Sequence, residues 1–461
     1  MSMLAGGLSA VFWGVLLLSI LVFVHEGGHY VAARIFKVRV TEFYLGLPCR
    51  FRWFHKSKSH GTEVGITPFL LGGYNRICGM EAGGDDELLA DAFAIVQREG
   101  RVSAEDLATE LKIELDHAYA LLVTLSDWAA IRPYFDPELG EKPTQKDYPR
   151  CFQTIPRDAN MLTEYDDGHD FTTSESTEEA EARPLVDAEA QLERERSHTY
   201  LGCGYFKRLA ILVAGPLVNI VLALALVTGV YVTTEYEVPL NEPVIGQIQE
   251  NSVAEACGLQ VGDKILLVNG TAVSDWNGIS EAIKDARSAK RDFPITVERD
   301  GTQTELTMDV PEDKEIEAIG VYPKTEPYRV SLGEAIAGAF GYAGMVASFA
   351  IRLIMPQHTM EVLDSSSSIV GISVMASQAA SSGLADVIAF MAAISMSLGF
   401  MNLLPIPPLD GGKILIETIQ AIVRRPFSMK VQTAISYVGL AFFAFIFVWV
   451  VKNDVFRFVI G

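Results

Sequence analysis

The segment HEGGH, from His25 to His29, follows a run of seventeen uncharged residues that spans 8–24. Residues four apart lie on one face of a helix, so His25 and His29 can hold one Zn²⁺ ion together. Glu26 lies between them and can take a proton from an attacking water. A histidine pair at a helix end without a metal is the alternative, but ionisable groups in an apolar span are costly and tend to be functional. The motif therefore predicts metal-dependent hydrolysis with Glu26 as the catalytic residue.

A catalytic zinc needs a third protein ligand and one open coordination position. The best candidate is Asp410, in the segment NLLPIPPLDGG that begins at Asn402. An unpaired carboxylate in an apolar, proline-broken segment would be costly, whereas opposite a divalent cation it becomes favourable. The residues therefore predict a Zn²⁺ site made of His25, His29 and Asp410.

Four apolar stretches are long enough to cross a bilayer, which takes about 20 residues. They predict transmembrane helices over residues 1–37, 205–233, 384–412 and 431–452. Basic residues follow the first helix, precede the second and lie between the third and fourth, and such residues mark the cytoplasmic side. We therefore expect residues 38–205 in the cytoplasm and both termini outside. The start of the sequence lacks the features of a cleaved signal peptide, so the first helix is expected to be retained.

The composition fits several membrane helices joined to soluble modules. The chain has a formal net charge of −21, 49% hydrophobic residues and a mean hydropathy of +0.23. Residues 81–200 contain 29 acidic and 11 basic side chains, so −18 of the −21 charges lie there. The five cysteines are scattered without a CxxC pair, which argues against a zinc knuckle or a disulfide framework.

The cytoplasmic part divides into three segments. Residues 38–80 alternate between apolar and polar types and are broken by Gly and Pro, which predicts a membrane-associated region of β-hairpins. Residues 81–135 give three helical patterns and resemble a small winged-helix unit. Their 11 acidic against 4 basic residues from Asp85 to Arg132 argue against nucleic acid and favour a regulatory protein partner. Residues 136–200 are polar and acidic, which predicts a mostly disordered linker.

Two segments lie between the second and third predicted membrane helices. Within residues 240–323, the run SVAEACGLQVGDKILLVNG closely resembles a PDZ domain of the bacterial type. PDZ domains bind peptide ends by strand addition, so Val244, Ile245 and Gly246 are expected to receive a peptide strand. A spacer or size filter that binds nothing is the alternative. Residues 331–383 are expected to form an amphipathic or surface-lying helix and a loop, because a fifth span would break the charge asymmetry.

Together these features resemble the site-2 protease family of intramembrane zinc metalloproteases, peptidase family M50. HExxH lies in the first helix and NxxPxPxLDGG in the third, while AGPLVN at residues 214–219 and PFLLGGY at residues 68–74 resemble two further family motifs. The order of helices and soluble segments is similar to the PDZ-containing bacterial branch typified by the regulator of sigma-E protease. The fold class implied is a polytopic α-helical membrane protein with four transmembrane helices, a cytoplasmic β-region, one extracytoplasmic PDZ domain and a small helical cytoplasmic insertion.

The resemblance implies roles for particular residues. His25, His29 and Asp410 would bind Zn²⁺, and Glu26 would act as general base and then acid. Asn402 would help to hold an unwound substrate. The segment that would pair with the substrate backbone consists of Leu70, Leu71, Gly72, Gly73 and Tyr74. Strand pairing makes physical sense because a helical peptide bond is sterically closed. A departure from the family pattern is Lys413, where many members have histidine.

The function that the resemblance implies is an intramembrane zinc metalloendopeptidase in the cytoplasmic membrane of a bacterium. Its partners would be the lipid bilayer and single-span membrane proteins such as anti-sigma factors or remnant signal peptides. The alternative is a non-catalytic membrane scaffold with a PDZ domain and a structural metal, but a closed structural site needs four protein ligands and the sequence offers three. A transporter would need paired inverted repeats and more intramembrane charge, and the sequence shows neither.

Overall fold

The computed structural model describes residues 2–80, 86–143, 145, 148–166, 176–288, 291–309, 319–425, 427 and 429–455. The chain divides into two compact units. Residues 1–228 together with 336–461 form the first, and residues 229–335 form the second. None of the five cysteines forms a disulfide.

The first helix and a small sheet contain the HExxH motif and the segment expected to meet a substrate. Helix α1 (Ser2–Ile35) is continuous through the motif. The strands are β1 (Val40–Leu45), β2 (Trp53–Lys56), β3 (Glu63–Ile66) and β4 (Gly73–Ile77). Their order in the sheet is β2-β3-β1-β4, with β1 and β3 parallel and the other pairs antiparallel. Because β4 is an edge strand that packs against α1, the sheet supports the helix beside the motif.

The acidic insertion after β4 forms helices and short strands around a core of its own. Its elements are α2 (Leu89–Glu99), β5 (Arg101–Ser103), α3 (Ala104–Leu111), α4 (Leu115–Asp127), β6 (Arg132–Tyr134), β7 (Cys151–Gln153) and α5 (Ala188–Ser197). The strands form an antiparallel sheet in the order β5-β7-β6. Phe93, Leu107, Leu122 and Trp128 fill the core. The resemblance of this unit to a winged helix stays a prediction.

The predicted disordered linker over residues 136–200 is wrong for the part of it that the structure describes. That part contains β7 and α5 and is held by buried charges. Asp166 accepts two hydrogen bonds from the guanidinium of Arg39, at 2.9 and 3.0 Å. Glu195 accepts one from Arg39 and one from Arg157, each at 2.6 Å. The composition rule failed because it counts apolar surface, whereas here ionised side chains are buried in pairs.

Helix α6 (Tyr205–Thr233) precedes the second unit in the chain. The elements of that unit are β8 (Tyr236–Pro239), β9 (Ile245–Ile248), α7 (Val253–Ala256), β10 (Lys264–Val268), β11 (Thr271–Ala272), α8 (Trp276–Ser288), β12 (Phe293–Arg299), β13 (Thr302–Met308), β14 (Val321–Pro323) and β15 (Thr325–Tyr328). Four strands pair in the order β11-β10-β12-β13, while β14 pairs with β9 and β15 with β8. Ile265, Ile295 and Val297 are fully buried in one small α/β core.

The remaining helices are α9 (Leu332–Leu353), α10 (Thr359–Ser365), α11 (Ile369–Ser382), α12 (Leu384–Asn402), α13 (Asp410–Val423) and α14 (Met429–Val455). Among the described residues, five helices are long and apolar enough to cross a membrane, namely α1, α6, α9, α12 and α14. The protein is therefore a polytopic membrane protein, with one candidate span more than the four predicted. The third predicted helix, over 384–412, is in fact two helices separated by the proline-rich segment.

Helix α9 is not the amphipathic surface helix expected within residues 331–383. Ala343 is buried against side chains of α6 and α12. The outward side chains are apolar as well, and Phe340 and Met345 are 62% and 67% exposed. A helix that lies on a membrane surface needs a polar outward face, so the expectation is wrong. Small residues toward protein and large apolar residues outward suit a helix surrounded by lipid.

Candidate metal centre

Helices α1 and α13 bring the three predicted metal ligands together. His25 and His29 are buried on one face of α1, and Asp410 is the first residue of α13. The proline-rich segment ends α12 and turns the chain back. At Gly411 and Gly412, a Cβ would overlap the backbone of that turn. The two glycines therefore let α13 begin close enough to α1 for Asp410 to reach the histidines.

The three potential ligand atoms form a nearly equilateral triangle. Nε2 of His25 lies 3.0 Å from Oδ2 of Asp410, Nε2 of His29 lies 3.3 Å from the same oxygen, and the two nitrogens are 3.3 Å apart. In a tetrahedral zinc site with bonds of about 2.0 to 2.1 Å, neighbouring ligand atoms are separated by about 3.3 Å. The triangle therefore fits one face of a zinc tetrahedron. Among the described residues no fourth His, Cys, Asp or Glu joins this cluster, which leaves one coordination position open.

Hydrogen bonds set which nitrogen of each imidazole faces the site. Nδ1 of His29 lies 2.7 Å from the backbone oxygen of Ile211, which can only accept, so Nε2 keeps its lone pair for a metal. Nδ1 of His25 lies 3.5 Å from the amide of Asn219, whose Oδ1 is buried without a partner. When the side-chain amide of Asn219 is rotated by 180°, its Oδ1 accepts a hydrogen bond from a proton on Nδ1 of His25 and is no longer without a partner. Both partners lie on α6, so this helix orients both imidazoles.

Close packing between α1 and α6 explains one glycine of each motif, Gly28 of HEGGH and Gly215 of AGPLVN. A Cβ at Gly28 would lie 2.5 Å from the backbone oxygen of Ala214, and a Cβ at Gly215 would overlap Nε2 of His29. Glycines such as those within HEGGH are poor helix formers, so close approach of another chain segment is the physical reason to expect them there. The structure supplies that close approach at Gly28, whereas a Cβ at Gly27 would meet only the ring of Phe43, at 3.7 Å.

Glu26 shares a cavity of about 330 Å³ with two of the candidate ligands, His25 and Asp410. The lining residues are Val22, His25, Glu26, Asn219, Leu398, Asn402, Pro408, Leu409, Asp410 and Lys413. Asn402, which the resemblance expects to hold a substrate, is among these lining residues, and so is Lys413, where the sequence departs from the family pattern. The carboxylate of Glu26 accepts a hydrogen bond of 2.7 Å from Asn75 of β4. The arrangement offers metal ligands, a base and room for a substrate segment in one place.

Comparison with known proteins agrees with this geometry. The family model described as Peptidase family M50 matches residues 13–446. The chain belongs to peptidase family M50. It is 26% identical to the regulator of sigma-W protease RasP of Bacillus subtilis, over 96% of this chain and 97% of that protein. It is also 26% identical to zinc metalloprotease RasP of Geobacillus kaustophilus, over 95% and 96%. The M50 protein is therefore a zinc metalloprotease of the membrane, and its cofactor is Zn²⁺.

The segment of this M50 protease that was expected to pair with a substrate is only partly a strand. Gly73 and Tyr74 begin β4, whereas Leu70, Leu71 and Gly72 lie in the preceding loop. Ser19 of α1 donates a hydrogen bond to the backbone oxygen of Leu70, and the N–H of Gly72 reaches the same hydroxyl at 3.4 Å. The loop is thereby fixed to α1, and the side chain of Leu71 is 60% exposed.

In the second unit, the residues predicted to receive a peptide strand are already paired. The backbone N–H of Ile245 donates to Asp263, and its oxygen accepts from Gly262. The oxygen of Val244 accepts from Lys324, and Gly246 lies in β9 opposite β14. The prediction of strand addition at Val244 to Gly246 is therefore wrong for this structure. Among the described strands, β14 pairs only with β9.

Sequence reasoning missed three residues that support the site. Asn75 and Ser19 lie in no motif, and only their folded neighbours show their role. Asn219 could have been found, because it ends the AGPLVN motif that the resemblance singled out.

Proposed function

We propose that His25, His29 and Asp410 bind the zinc ion of this metalloprotease and that Glu26 is its general base. The observation that carries the proposal is the triangle of ligand atoms, whose sides of 3.0 to 3.3 Å match tetrahedral zinc. The triangle lies between helices of membrane-spanning length. The substrates are accordingly membrane-spanning segments of single-span proteins.

Different residues around the cavity have different roles in peptide hydrolysis. When bound, zinc acts as a Lewis acid that polarises the scissile carbonyl and makes water more acidic. Glu26 accepts the proton of the attacking water and returns it to the leaving amide nitrogen. Asn402 lines the cavity with an amide that can hold an extended substrate backbone. The loop before β4 guides that extended segment, because a helical peptide bond would be closed to attack.

The direction of helix α11 supports the predicted orientation in the membrane, in which α1, α6, α12 and α14 each cross it once. Ser377 of α11 lies 2.7 Å from Ser9 of α1, and Ser373 contacts Gly14, so the two helices run antiparallel. Helix α12 therefore begins at the end of α1 where the chain starts, and it ends at the metal site. We propose that α9 enters the membrane from the side on which the chain starts and that α11 leads the chain back to that side. The termini and residues 229–335 are then extracytoplasmic in a bacterial cytoplasmic membrane, and residues 38–205 are cytoplasmic.

The soluble parts of the protein are proposed to choose and regulate its partners. The second unit would bind peptide ends as a PDZ domain along β14. The cytoplasmic insertion would contact a regulatory protein. Nucleic acid is not an expected partner, since the exposed face of α3 carries Glu105, Asp106 and Glu110.

The substitution Glu26→Gln tests the catalytic assignment. The probe is a purified reporter protein with one membrane span, shortened on its outer side and reconstituted with the protease in liposomes. We expect Glu26→Gln to bind one zinc per chain and to lose cleavage by about 10²- to 10⁴-fold, the range typical of a lost general base. Full cleavage by zinc-loaded Glu26→Gln would contradict the assignment. A non-catalytic scaffold instead predicts that even the wild-type protein leaves every such reporter uncut.

A further inference from the structure

The amide nitrogen of Asn75 makes two hydrogen bonds to one residue. Its Nδ2 lies 2.7 Å from Oε2 of Glu26 and 3.0 Å from the backbone oxygen of the same residue. An ionised carboxylate and a carbonyl can only accept, so the amide must present its NH₂ group and donate one hydrogen to each. The side chain of Asn75 therefore bridges the main chain and the side chain of Glu26.

Such a bridge restricts the rotamer of Glu26. A glutamate has three rotatable side-chain bonds, and a free one samples several staggered conformations. Fixing Oε2 relative to the backbone oxygen of the same residue removes most of that freedom before a substrate arrives. Ordering the base in advance is the kind of positioning that raises the rate of a chemical step.

Strand β4 holds Asn75 in place on α1. Asn75 pairs with Phe43 of β1 in the antiparallel register. The ring of Phe43 stacks on Phe23 and on Tyr30 of α1, with centroid distances of 4.5 and 4.9 Å. These two rings lie on either side of Glu26 along the helix. These ring contacts fix the sheet to the part of α1 that contains Glu26. The position of the Asn75 amide is therefore fixed relative to that residue.

We propose that Asn75 is a positioning residue that holds the carboxylate of Glu26 in its working orientation, a role that rests on the proposed function of Glu26 as base. Asn75 follows directly after the segment from Leu70 to Tyr74 that is expected to pair with a substrate. The same short stretch of chain therefore guides the substrate and orients the base. Removing the amide should slow the chemical step without weakening substrate binding.

The test compares Asn75→Leu and Asn75→Asp with wild-type protein on the reporter described above. Leucine keeps the approximate size and removes the donor, while aspartate keeps the shape and replaces the donor by acceptors that repel Glu26. We expect kcat to fall about 10- to 100-fold in both variants, with KM within about twofold and one zinc per chain. Thr41→Val is the matched control, because it removes a side-chain hydrogen bond from β1 to Arg76 in β4 without touching Glu26. That variant should keep the wild-type kcat.

A double variant shows whether Asn75 acts through Glu26. In the Glu26→Gln background, Asn75→Leu should cause no further loss of residual cleavage, because the group that it positions is already gone. Wild-type kcat in a zinc-loaded Asn75→Asp protein would overturn the proposal, and so would a full additional loss in the double variant. If Asn75→Leu alone fails to fold, the isosteric aspartate variant decides. A wild-type protein that cuts no reporter would refute the proposed function itself, which is a different outcome from unchanged activity in the variants.

Discussion

Each imidazole of the metal site is oriented by a group on α6 rather than by its own helix. The backbone oxygen of Ile211 accepts a hydrogen bond from Nδ1 of His29, and Asn219 faces Nδ1 of His25. Partners of this kind fix the tautomer and ring orientation of metal-binding histidines, and their loss typically costs about 10- to 100-fold in metal affinity. The spacing between α1 and α6 is therefore a property of the metal site as much as of the helix bundle.

Gly215→Ala should weaken zinc binding although residue 215 is not a ligand. Its new Cβ would overlap Nε2 of His29, so the ring must leave its position or α6 must move away. We expect zinc affinity to fall by at least about 10-fold, as measured by competition with a chelator on the purified protein in detergent. The control is Gly229→Ala on the same helix, where a Cβ meets nothing within 4 Å. Equal zinc affinity in the two variants would contradict the packing argument.

The three candidate ligands could be selected from the sequence, whereas the groups that support them could not. Because His25 and His29 are four residues apart, they lie on the same face of α1. Asp410 stood out because a carboxylate in an apolar segment among prolines is costly unless a cation lies opposite it. The contacts of Asn75 and Ser19 depend on how a sheet and a loop dock on α1. Nothing in the spacing of one sequence carries that information.

At the scale of elements, the loop before β4 must satisfy its backbone groups close to an apolar helix. Backbone at membrane depth is tolerated only where it is shielded and hydrogen-bonded. Ser19, which is 1% exposed, provides both a donor for Leu70 and an acceptor for Gly72. One hydroxyl in the middle of α1 thus holds the loop that is expected to guide the substrate.

Ser19→Ala should loosen this loop and weaken substrate binding. The backbone oxygen of Leu70 would lose its donor, at a cost of about 1 to 1.5 kcal/mol, which corresponds to a KM about 5- to 10-fold higher. Zinc content and kcat should stay close to wild type, because Ser19 does not touch the ligands. Steady-state kinetics on the single-span reporter measure both constants. Ser9→Ala, which removes a hydroxyl elsewhere on α1, serves as the control. An unchanged KM in Ser19→Ala would refute the role of the hydroxyl.

Sequence patterns correctly predicted the elements that depend on a single physical requirement, such as apolar length. They failed for elements in which two requirements compete. Helices α1, α6 and α14 follow from long uncharged runs, because burial in lipid needs only apolar length. Helix α9 was misread because a fifth span would break the charge asymmetry of the flanking segments, although its alanines and glycines are the residues that let membrane helices pack closely. The segment from Leu70 to Gly72 is a loop rather than a strand, because its backbone bonds to Ser19, Phe69 and Gly46 instead of to one neighbouring strand.

At the scale of the whole molecule, buried ion pairs attach the acidic insertion to the chain segment that follows α1. Arg39 lies just after that helix and is 1% exposed, yet it pairs with Asp166 and Glu195. Burial alone would lower the pKa of Arg39, but the two carboxylates outweigh it and raise that pKa. Similarly, burial would raise the pKa of Asp166, but the charge and hydrogen bonds of Arg39 lower it to about 2. The insertion is therefore attached through ion pairs whose strength depends on pH.

The pKa of Asp166 predicts how the stability of the insertion changes with pH. A carboxylate whose pKa falls from about 3.9 in the unfolded chain to about 2 in the folded one contributes about 2.6 kcal/mol. This contribution is complete above about pH 5 and is lost as the pH falls toward 2, because the unfolded chain then binds the proton first. Asp166→Asn should therefore be less stable than wild type by about 2 to 3 kcal/mol at pH 7, and the difference should shrink below about pH 4.

The measurement follows unfolding of the full chain in detergent through the fluorescence of Trp128, which is buried in the core of the insertion, with the other tryptophans replaced by phenylalanine. Comparing the free energies of unfolding of the two proteins at each pH cancels the contributions of the carboxylates that titrate in both. His198, whose Nε2 lies 3.7 Å from Asp166, is present in both as well. Glu99→Gln removes an exposed ion pair with Arg98 and should leave stability close to that of the wild type at every pH. A difference between wild type and Asp166→Asn that stays constant from pH 7 to pH 3 would show that Asp166 does not hold the insertion through its charge.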